Sequence, residues 1–425
     1  MYNFFNELKW RGFVHSYTPG VDKHLIDRQV TGYIGFDPTA SSLHIGSLLP
    51  IMGLVHFQKA GHIPIAIAGG GTGMIGDPSG KSQERKLLSK EEIESNLEGI
   101  KEQLSKFLDF KSKVNPAKLV NNADWLTRIS LMEFLRDVGK HFSVNEMLAK
   151  ESVRTRIEKE QGISFTEFSY SLLQSYDFLM LYDLYKCTLQ MGGSDQWGNI
   201  TSGIDLIRRL RSVEAYGLVF PLITTSSGVK FGKTESGTIW LDPKLTSPYK
   251  FYQYWFNTDD RDVVQYLKFF TLLSSKEIEE LEIATKETPE KRSAQTVLAK
   301  EVTKMLHGET ALNQAIKASK IFFGGTISDV SAEELLDIFS DVPSVEIPRD
   351  KFSGEGMPLI ELMVAAGASK SKGEARRAIQ GGGIYLENIR VNDVDKKVTM
   401  EDAVHGKFII IRKGARNYWM VKILS

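Results

Sequence analysis

Short apolar runs alternate with longer amphipathic stretches over roughly the first half of the chain. Four of these runs predict buried strands, at residues 32–36, 63–68, 118–121 and 189–192. Between them, residues 43–59 and 90–107 carry apolar residues at helical spacing and predict helices. This alternation predicts an α/β fold with a Rossmann-like parallel sheet, whose ligand site lies at the carboxyl ends of the strands.

The remaining chain predicts two more domains and a connection between them. Helical spacing continues beyond the sheet after an aromatic opening that we interpret as core, formed by Tyr249, Phe251, Tyr252, Trp255 and Phe256. The next stretch mixes Ser, Pro, Asp and Gly, which is typical of a linker. We therefore predict an α/β domain at 1–246, a helical domain at 247–323, a linker at 324–352 and a small α+β domain at 353–425.

The predicted small domain has its own helices, strands and basic surface. Residues 358–366 predict a helix, and Ser371 with Glu374 predicts a capping box that opens a second helix. Strands are predicted at 384–386 and 408–411. From residue 353 onward the chain has 12 Lys and Arg against 8 Asp and Glu, and this surplus favours contact with phosphates.

Composition narrows the class of protein. The chain of 425 residues is long enough for two or three domains, and its 53 basic residues balance its 53 acidic residues, so a nucleic-acid surface has to be a local patch. The single cysteine, Cys187, excludes a disulfide within the chain, and the spacing of Cys and His predicts no structural metal. We find neither a signal peptide nor a run of about 18 apolar residues that could span a membrane. We therefore expect a cytoplasmic protein.

Two short motifs far apart in the chain point to phosphate chemistry. Residues 35–47 read GFDPTASSLHIGS, and Gly46 follows His44 at a predicted helix start, where the helix dipole and the missing Cβ allow a phosphate to approach. Residues 230–234 read KFGKT, which places two lysines three residues apart. Either motif alone is common, but both together in this order predict an ATP-activating site.

The two motifs resemble the HIGH and KMSKS signatures of class I aminoacyl-tRNA synthetases. Residues 170–177 (YSLLQSYD) and 190–198 (QMGGSDQWG) are similar to segments of the bacterial-type tyrosyl-tRNA synthetases. The C-terminal domain resembles the small ribosomal-protein-like RNA-binding module that those enzymes carry. One position departs from the signature, because Ser47 stands where the last histidine of HIGH is expected, so a nucleotide contact there would come from a hydroxyl.

The resemblance implies that the chain activates L-tyrosine with ATP to tyrosyl-adenylate, releases pyrophosphate, and transfers the tyrosine to the 3′-terminal adenosine of tRNA(Tyr). It implies catalytic roles for Thr39, His44, Lys81, Arg85, Lys230 and Lys233. It implies contacts with tyrosine by Tyr33, Asp77, Tyr170, Gln174, Asp177 and Gln196. It implies contacts with ATP by Asp37, His44, Ser47, Gly193, Asp195 and Lys233.

The resemblance also implies the partners. ATP would be a substrate accompanied by Mg²⁺, the enzyme would be a homodimer, and tRNA would contact Lys370, Lys372, Arg376 and Arg377. Three alternatives stay open from the sequence: a tryptophanyl-tRNA synthetase, a catalytically inactive tRNA-binding homologue, and a small-molecule adenylyltransferase with a similar signature.

Two glycine-rich motifs suggest other functions, and we reject both. Residues 71–76 satisfy the G-x-G-x-x-G spacing of dinucleotide-binding enzymes, but Pro78 prevents a smooth start of the long helix that this site requires. Residues 76–82 imitate a P-loop, yet three residues instead of four separate the two glycines. By resemblance this loop belongs to the amino-acid pocket.

Overall fold

The structure, a computed structural model, describes residues 3–77, 89–158, 162–226, 228, 231–234, 237–327, 330–339, 342–414 and 417–424. The chain forms two compact units. Unit 1 comprises residues 1–247 and 254–306, and unit 2 comprises residues 248–253 and 307–425. These two units differ from the domains predicted from the sequence. The predicted domain boundaries stay a prediction, except for the linker at 324–352.

Unit 1 is built on a six-stranded sheet. Its strands are β1 (Ser16–Tyr17), β2 (Thr31–Phe36), β3 (Ile63–Ala68), β4 (Lys118–Asn121), β5 (Cys187–Gly193) and β6 (Tyr216–Phe220), and a separate pair comprises β7 (Lys233–Thr234) and β8 (Gly237–Thr238). The order across the sheet is β1-β6-β5-β2-β3-β4, and all pairs are parallel except β1 with β6. The predicted Rossmann-like parallel sheet is confirmed, and all four predicted strands belong to it.

Helices cover the sheet and continue beyond it. They are α1 (Phe4–Arg11), α2 (Val21–Asp27), α3 (Leu48–Lys59), α4 (Lys90–Leu104), α5 (Ala123–Leu126), α6 (Leu131–Glu133), α7 (Val144–Leu148), α8 (Glu151–Glu158), α9 (Phe165–Tyr185), α10 (Trp197–Arg211), α11 (Pro248–Phe256), α12 (Asp260–Phe270), α13 (Ser275–Glu287) and α14 (Ser293–Phe322). Helices α9 and α10 pack together over the sheet, where Phe178, Leu181 and Leu206 are fully buried. The helical character predicted for 247–323 is thereby confirmed. Helix α14 is interrupted at Gly308, where φ is +82°.

Two predicted helices differ in their bounds. The helix predicted from residue 43 begins at Leu48, after a 3-10 turn at Ile45–Ser47, because the backbone of Leu43, His44 and Ile45 pairs with residues 239–241. The helix predicted to run to residue 107 ends at Leu104, where the chain turns through Ser105. The first difference arises from long-range backbone pairing, which overrides local helix propensity.

Helix α1 is fastened to a distant part of unit 1 by a buried arginine. The guanidinium of Arg11, whose residue is 2% exposed, is bound by Glu7 at 2.8 Å. It also donates to the backbone carbonyl oxygens of Lys268, Thr271 and Leu273, at 2.9, 2.9 and 2.6 Å. These carbonyls lie at and beyond the C-terminal end of α12, where a cation also interacts favourably with the helix dipole.

Unit 2 contains a second sheet. Its elements are α15 (Ala332–Ile338), β9 (Ser344–Pro348), β10 (Met357–Pro358), α16 (Leu359–Ala365), α17 (Lys372–Gln380), β11 (Ile384–Leu386), β12 (Ile389–Val391), β13 (Lys397–Val398), β14 (Phe408–Lys413) and β15 (Asn417–Leu424). Five strands form a sheet in the order β12-β11-β14-β15-β9, and β10 pairs with β13. The α+β character predicted for the C-terminal part of the chain is confirmed.

Two predictions in unit 2 need correction. Residues 324–352, predicted as a linker, contain α15 and β9, and β9 pairs with β15 in parallel, so backbone pairing makes this stretch part of the folded unit. The predicted capping box at Ser371 is half formed. Its hydroxyl accepts the Glu374 N–H at 3.3 Å, but the Glu374 carboxylate accepts the N–H of Lys370 and binds the Lys413 ammonium.

Within the described ranges, none of the helices combines the length and the apolar character that a crossing of the bilayer requires.

Candidate active site

A cavity of about 620 Å³ opens at the carboxyl ends of the parallel strands in unit 1. Its position agrees with the edge at which open α/β sheets bind ligands. Ten of the residues predicted from the sequence line it: Tyr33, Asp37, His44, Asp77, Tyr170, Gln174, Asp177, Gly193, Asp195 and Gln196. The structure therefore brings together residues that are separated by as many as 163 positions in the chain.

The other predicted residues of this site fall into two groups. Thr39 is exposed and Ser47 is half-buried at the N-terminal end of α3, and neither belongs to the lining of the cavity. Lys81, Arg85 and Lys230 lie outside the described residues, and of Lys233 the backbone in β7 is described. The roles of these residues stay predictions.

The innermost polar groups of the cavity belong to Tyr33 and Asp177. Asp177 is 4% exposed, and its two carboxylate oxygens accept hydrogen bonds from Asn122 Nδ2 at 2.9 Å and from Trp125 Nε1 at 2.7 Å. The hydroxyl of Tyr33 is buried without a hydrogen-bond partner among the described residues, and so is Gln190 Oε1 on the neighbouring strand. Buried polar atoms are normally paired, so these two point to a polar group supplied by a ligand.

Burial raises the pKa values of both Asp177 and Tyr33. It raises the pKa of Asp177 to about 7, although the hydrogen bonds from Asn122 and Trp125 act in the opposite direction. Burial, and then the nearby Asp177 carboxylate, raise the pKa of Tyr33 well above its usual value, so its hydroxyl keeps its proton. The cavity thus offers one carboxyl group close to its ionisation point beside one hydroxyl that stays neutral.

A second polar network lies on another side of the cavity. Gln196 Nε2 donates to Asp77 Oδ2 at 2.7 Å, and Gln196 Oε1 accepts from Gln174 Nε2 at 3.2 Å. Asn199 Nδ2 donates to Gln174 Oε1 at 3.1 Å and to Gln196 Oε1 at 3.3 Å, and so fixes both amides. The network presents a carboxylate and amide groups, which suit a ligand that carries an ammonium and a carboxylate.

Tyr170 adds a hydroxyl to this second network. The residue is 5% exposed, its hydroxyl bonds to the side chain of Thr72, and burial raises its pKa well above the usual value. Tyr170 and Gln174 are one helical turn apart in α9, so both side chains reach the cavity from one face of the helix.

His44 is held in a defined orientation at the start of the helical segment. The N–H of Gly46 donates to His44 Nδ1 at 3.0 Å, so in the neutral ring the proton lies on Nε2, which can donate to an anion. A Cβ on residue 46 would lie 2.6 Å from His44 Cε1, so glycine is required for this arrangement. Gly193 has a comparable role, because a Cβ there would lie 2.5 Å from Asp195 Oδ1.

The backbone that follows the lysine motif, at residues 239–241, pairs with the backbone of the histidine motif. The N–H of Ile45 donates to the carbonyl of Ile239 at 3.0 Å, and the N–H of Leu241 donates to the carbonyl of Leu43 at 2.9 Å. On the other side of the loop, Phe231 lines the cavity and stacks on Phe270 with ring centroids 5.4 Å apart. Phe231 before β7 and Ile239 after β8 are therefore both held in unit 1, one through its ring and the other through its backbone.

The four basic residues predicted to bind RNA lie in unit 2. Lys370, Lys372, Arg376 and Arg377 are exposed, and Arg377 lies in the last turn of α17. Lys372 and Arg376 line a shallow groove together with Lys397, and Lys372 forms an ion pair with Glu361 at 2.7 Å. The structure thus groups basic side chains on one surface, partly neutralised by acidic neighbours.

The sequence interpretation missed several polar residues of the site. Asn122, Trp125 and Asn199 were absent from it, and Gln190 was part of a motif without an assigned role, although all four contact the site or line it. A usable signal existed for the first two, because they directly follow the predicted strand at 118–121, whose carboxyl end had to reach the ligand edge. For Gln190 and Asn199, which lie in and directly after the motif at 190–198, the sequence indicated that they are near the site but not what they contact.

In the part of the chain that the structure describes, no cluster of three or more His, Cys, Asp or Glu side chains is suited to hold a metal ion.

Two family models match the chain. The model described as class I tRNA synthetases (W and Y) matches residues 26–324, and the model described as a tyrosine–tRNA ligase SYY-like C-terminal domain matches residues 334–421. Together they span both units of the structure.

Similar proteins are known in full length and in solved structures. The chain is 58% identical to the tyrosine–tRNA ligase of Roseiflexus castenholzii over 99% of both chains, and 55% identical to that of Bacillus caldotenax over 98% of both. A truncated mitochondrial tyrosyl-tRNA synthetase from Coccidioides posadasii is 32% identical with a TM-score of 0.66, covering 75% of this chain and 92% of that one. A tryptophanyl-tRNA synthetase from Encephalitozoon cuniculi shares the fold at 13% identity, with a TM-score of 0.53 over 78% of this chain and 90% of that one.

Proposed function

Because the chain belongs to the tyrosyl-tRNA synthetases of class I, we propose that the cavity at the carboxyl edge of the sheet is its tyrosine-activating site. The chain activates L-tyrosine with ATP, releases pyrophosphate and transfers the tyrosine to the 3′-terminal adenosine of tRNA(Tyr). The comparisons do not favour a tryptophanyl enzyme or an inactive homologue, because the full-length relatives are named tyrosine–tRNA ligases. A small-molecule adenylyltransferase would not need unit 2.

The buried pair of Tyr33 and Asp177 is the observation from which we infer that the cavity binds the side chain of tyrosine. A phenol hydroxyl can donate to the Asp177 carboxylate and accept from the Tyr33 hydroxyl, which otherwise has no described partner. Phenylalanine would leave the Tyr33 hydroxyl buried without a partner and would give Asp177 no donor beyond Asn122 and Trp125, a discrimination for which tyrosyl-tRNA synthetases are themselves the standard example.

The second network would bind the other end of the amino acid. Asp77 and the hydroxyl of Tyr170 suit the ammonium group, and the amides of Gln174 and Gln196 are placed beside them. The substrate carboxylate is already ionised at neutral pH, so attack on the α-phosphorus of ATP requires no general base. Positioning and positive charge near the phosphates then provide the catalysis.

His44 is the described residue best placed for the phosphates. With Nδ1 occupied by the N–H of Gly46, Nε2 can donate a hydrogen bond to a phosphate oxygen as pyrophosphate leaves. Lys81, Arg85, Lys230 and Lys233 would add positive charge, and Thr39 would add a hydroxyl. Asp37, Gly193 and Asp195 would contact the nucleoside, and Ser47, which lies outside the cavity lining as Thr39 does, would contact it through its hydroxyl.

ATP is a substrate of this family, and Mg²⁺ belongs to the proposal as its companion. The phosphates of ATP would supply most ligands of the Mg²⁺, as is usual for this ion in nucleotide sites. Its contribution would be to neutralise charge that develops on the leaving pyrophosphate.

tRNA is a partner of this family, and we propose that the basic groove of unit 2 contacts its backbone. Lys370, Lys372, Arg376 and Arg377 would neutralise phosphates, with Lys397 as an additional member of the groove. The cytoplasmic location predicted from the sequence stays a prediction.

We also propose that the enzyme is a homodimer. Apolar side chains are exposed along residues 131–148, with Met132 at 74% exposure, and Phe165 nearby in the sequence is 78% exposed. Large exposed apolar side chains of this kind are typical of surfaces that another protein covers. Light scattering should give twice the chain mass of 47.8 kDa, and Met132→Glu should shift the enzyme toward monomer. A monomeric wild-type enzyme would contradict the proposal.

The activity and the site can be tested together by amino-acid-dependent exchange of labelled pyrophosphate into ATP. With Mg²⁺ and no tRNA, tyrosine alone among the twenty amino acids should support exchange. The Asp177→Ala variant should lose tyrosine activation far more than ATP binding, because the phenol loses its acceptor. Equal losses in both would contradict the assignment of Asp177, and exchange with tryptophan would contradict the substrate.

A further inference from the structure

One face of α4 lies against the segment that leads to His44. Asn96 Nδ2 donates to the carbonyl oxygen of Pro38 at 2.9 Å. A Cβ added to Gly99 would lie 2.1 Å from the carbonyl oxygen of Ser41, so the helix and this segment are in backbone contact. Gln103 completes the row, and the spacing of the three helix residues places them on one stripe of α4.

Gln103 is the centre of a fully paired group of polar atoms. The residue is 6% exposed, its Oε1 accepts the N–H of Leu43 at 2.8 Å, and its Nε2 donates to Ser42 Oγ at 3.0 Å. The same Ser42 hydroxyl donates to the carbonyl of Leu43 at 2.7 Å and accepts the N–H of Asp242 at 3.1 Å. Gln103 is therefore connected through one hydroxyl to the chain that follows the lysine motif.

Residues 38–45, the segment that leads to and includes His44, are thus held from two sides. Helix α4 contacts residues 38–43, and the backbone of residues 239–242 pairs with residues 42–45 on the other side. His44 itself is exposed and follows directly after the doubly held residues. A small shift of Leu43 would be passed on to the imidazole, whose distance to a phosphate must be correct within a fraction of an ångström.

We propose that Asn96, Gly99 and Gln103 are positioning residues for adenylate formation, which act by holding residues 38–43 so that His44 meets the phosphates of ATP. This inference rests on the proposed function of the cavity. The three residues touch backbone and one hydroxyl of the signature segment, and none of them lines the cavity.

The positioning role predicts different effects on the reaction with ATP and on the binding of tyrosine. The groups assigned to tyrosine are held by Asn122, Trp125 and Asn199, which belong to α5, its flanking loop and α10. None of these bonds involves α4. Loss of the α4 contacts should therefore slow the chemical step with ATP and leave tyrosine affinity unchanged.

The test is the single-turnover rate of tyrosyl-adenylate formation, with tyrosine affinity measured separately by equilibrium dialysis. Gln103→Met keeps the length of the side chain and removes both hydrogen bonds, and it should lower the rate by about a hundredfold. The control is Glu98→Ala, an exposed change on the same helix, which should leave the rate unchanged.

A cycle with His44 distinguishes positioning from general support of the fold. If Gln103 acts through the imidazole, Gln103→Met should cause little further loss in a His44→Ala enzyme. Full additivity of the two losses, or an equal loss of tyrosine affinity, would overturn the proposal. If Gln103→Met does not fold by circular dichroism, Asn96→Ala takes its place, because it removes a single peripheral bond; a normal rate in that variant would equally overturn the proposal.

Two results distinguish a failure of the positioning role from a failure of the proposed function, on which it rests. A wild-type enzyme without tyrosine-dependent exchange would contradict the proposed function. A wild-type enzyme with exchange, together with a Gln103→Met variant of normal rate, would contradict the positioning role alone.

Discussion

Replacement of Trp125 by phenylalanine should show how one hydrogen bond affects the ionisation of Asp177 in the proposed tyrosine site. The indole Nε1 donates to Asp177 Oδ1 at 2.7 Å, and this bond lowers the pKa of a carboxyl group that burial has raised to about 7. Phenylalanine fills much of the same volume and removes the donor. The pKa of Asp177 should therefore rise above 7, and less of the carboxylate should be available to the phenol of tyrosine at neutral pH.

The magnitude follows from the kind of bond that is lost. A hydrogen bond to a charged group contributes about 1.5–3 kcal/mol, which corresponds to a roughly 10- to 100-fold change in affinity. Binding uses the ionised form, so affinity rises with pH until Asp177 is fully ionised. The tyrosine KM of Trp125→Phe should consequently exceed that of the wild type by about 5- to 50-fold near pH 7, where Asp177 of the wild type is half ionised, and approach it as the pH rises toward 9.

The assay is tyrosine-dependent pyrophosphate exchange between pH 6 and pH 9, with saturating ATP. Trp419→Phe is a matched control, because Trp419 is a half-buried tryptophan in the core of unit 2. A KM ratio between variant and wild type that stays constant across this range would refute the reasoning, since it would show that the indole acts through packing and not through the charge of Asp177.

Three more predictions concern stability and geometry in unit 1. Arg156→Met should lower the free energy of unfolding by roughly 3–5 kcal/mol in urea titrations, because Glu167 would keep a buried, unpaired charge; a loss no smaller in the Arg156→Met/Glu167→Gln double variant would contradict this. Burial, followed by Arg11 and Lys59, lowers the pKa of His56 to about 3, so stability should fall below pH 6.5, by about 2 kcal/mol at pH 5, and His56→Leu should lack this component of the pH dependence. Gly46→Ala should slow adenylate formation about a hundredfold by displacing the His44 ring, with tyrosine affinity retained, and a normal rate would show that the ring can adjust.

Much of the fold followed from the apolar pattern. The strands at 63–68 and 118–121 have the predicted bounds, because a buried parallel strand is a continuous apolar run with polar residues at both ends. The start of α3 was predicted wrongly because Leu43 and Ile45 are apolar at helical spacing, yet their backbones pair with residues about 200 positions later. Such pairing is not visible in a local pattern.

The site was predictable to the extent that motif residues carry it directly. His44, Asp177 and Gln196 could be named because their motifs are distinctive, and the structure brings them to one cavity. Gln103 could not, because it acts through hydrogen bonds to residues about 60 positions away, and the position of Trp125 after a predicted strand did not reveal its bond to Asp177, 52 positions away. The strand β9 was missed for the same reason, since its pairing with β15 depends on backbone bonds and not on composition.

The buried guanidinium of Arg11 has a consequence for how the molecule is made. Three of its hydrogen bonds are to carbonyls about 260 residues later in the chain, and unit 1 is itself assembled from two separate stretches. During synthesis on the ribosome the first helix must therefore wait until α12 has emerged before it acquires these partners. Long-range closure of this kind slows folding and prolongs the time in which apolar surface is open to aggregation. We expect unit 1 to complete its folding late in translation and to depend on chaperones more than its parallel sheet alone would suggest.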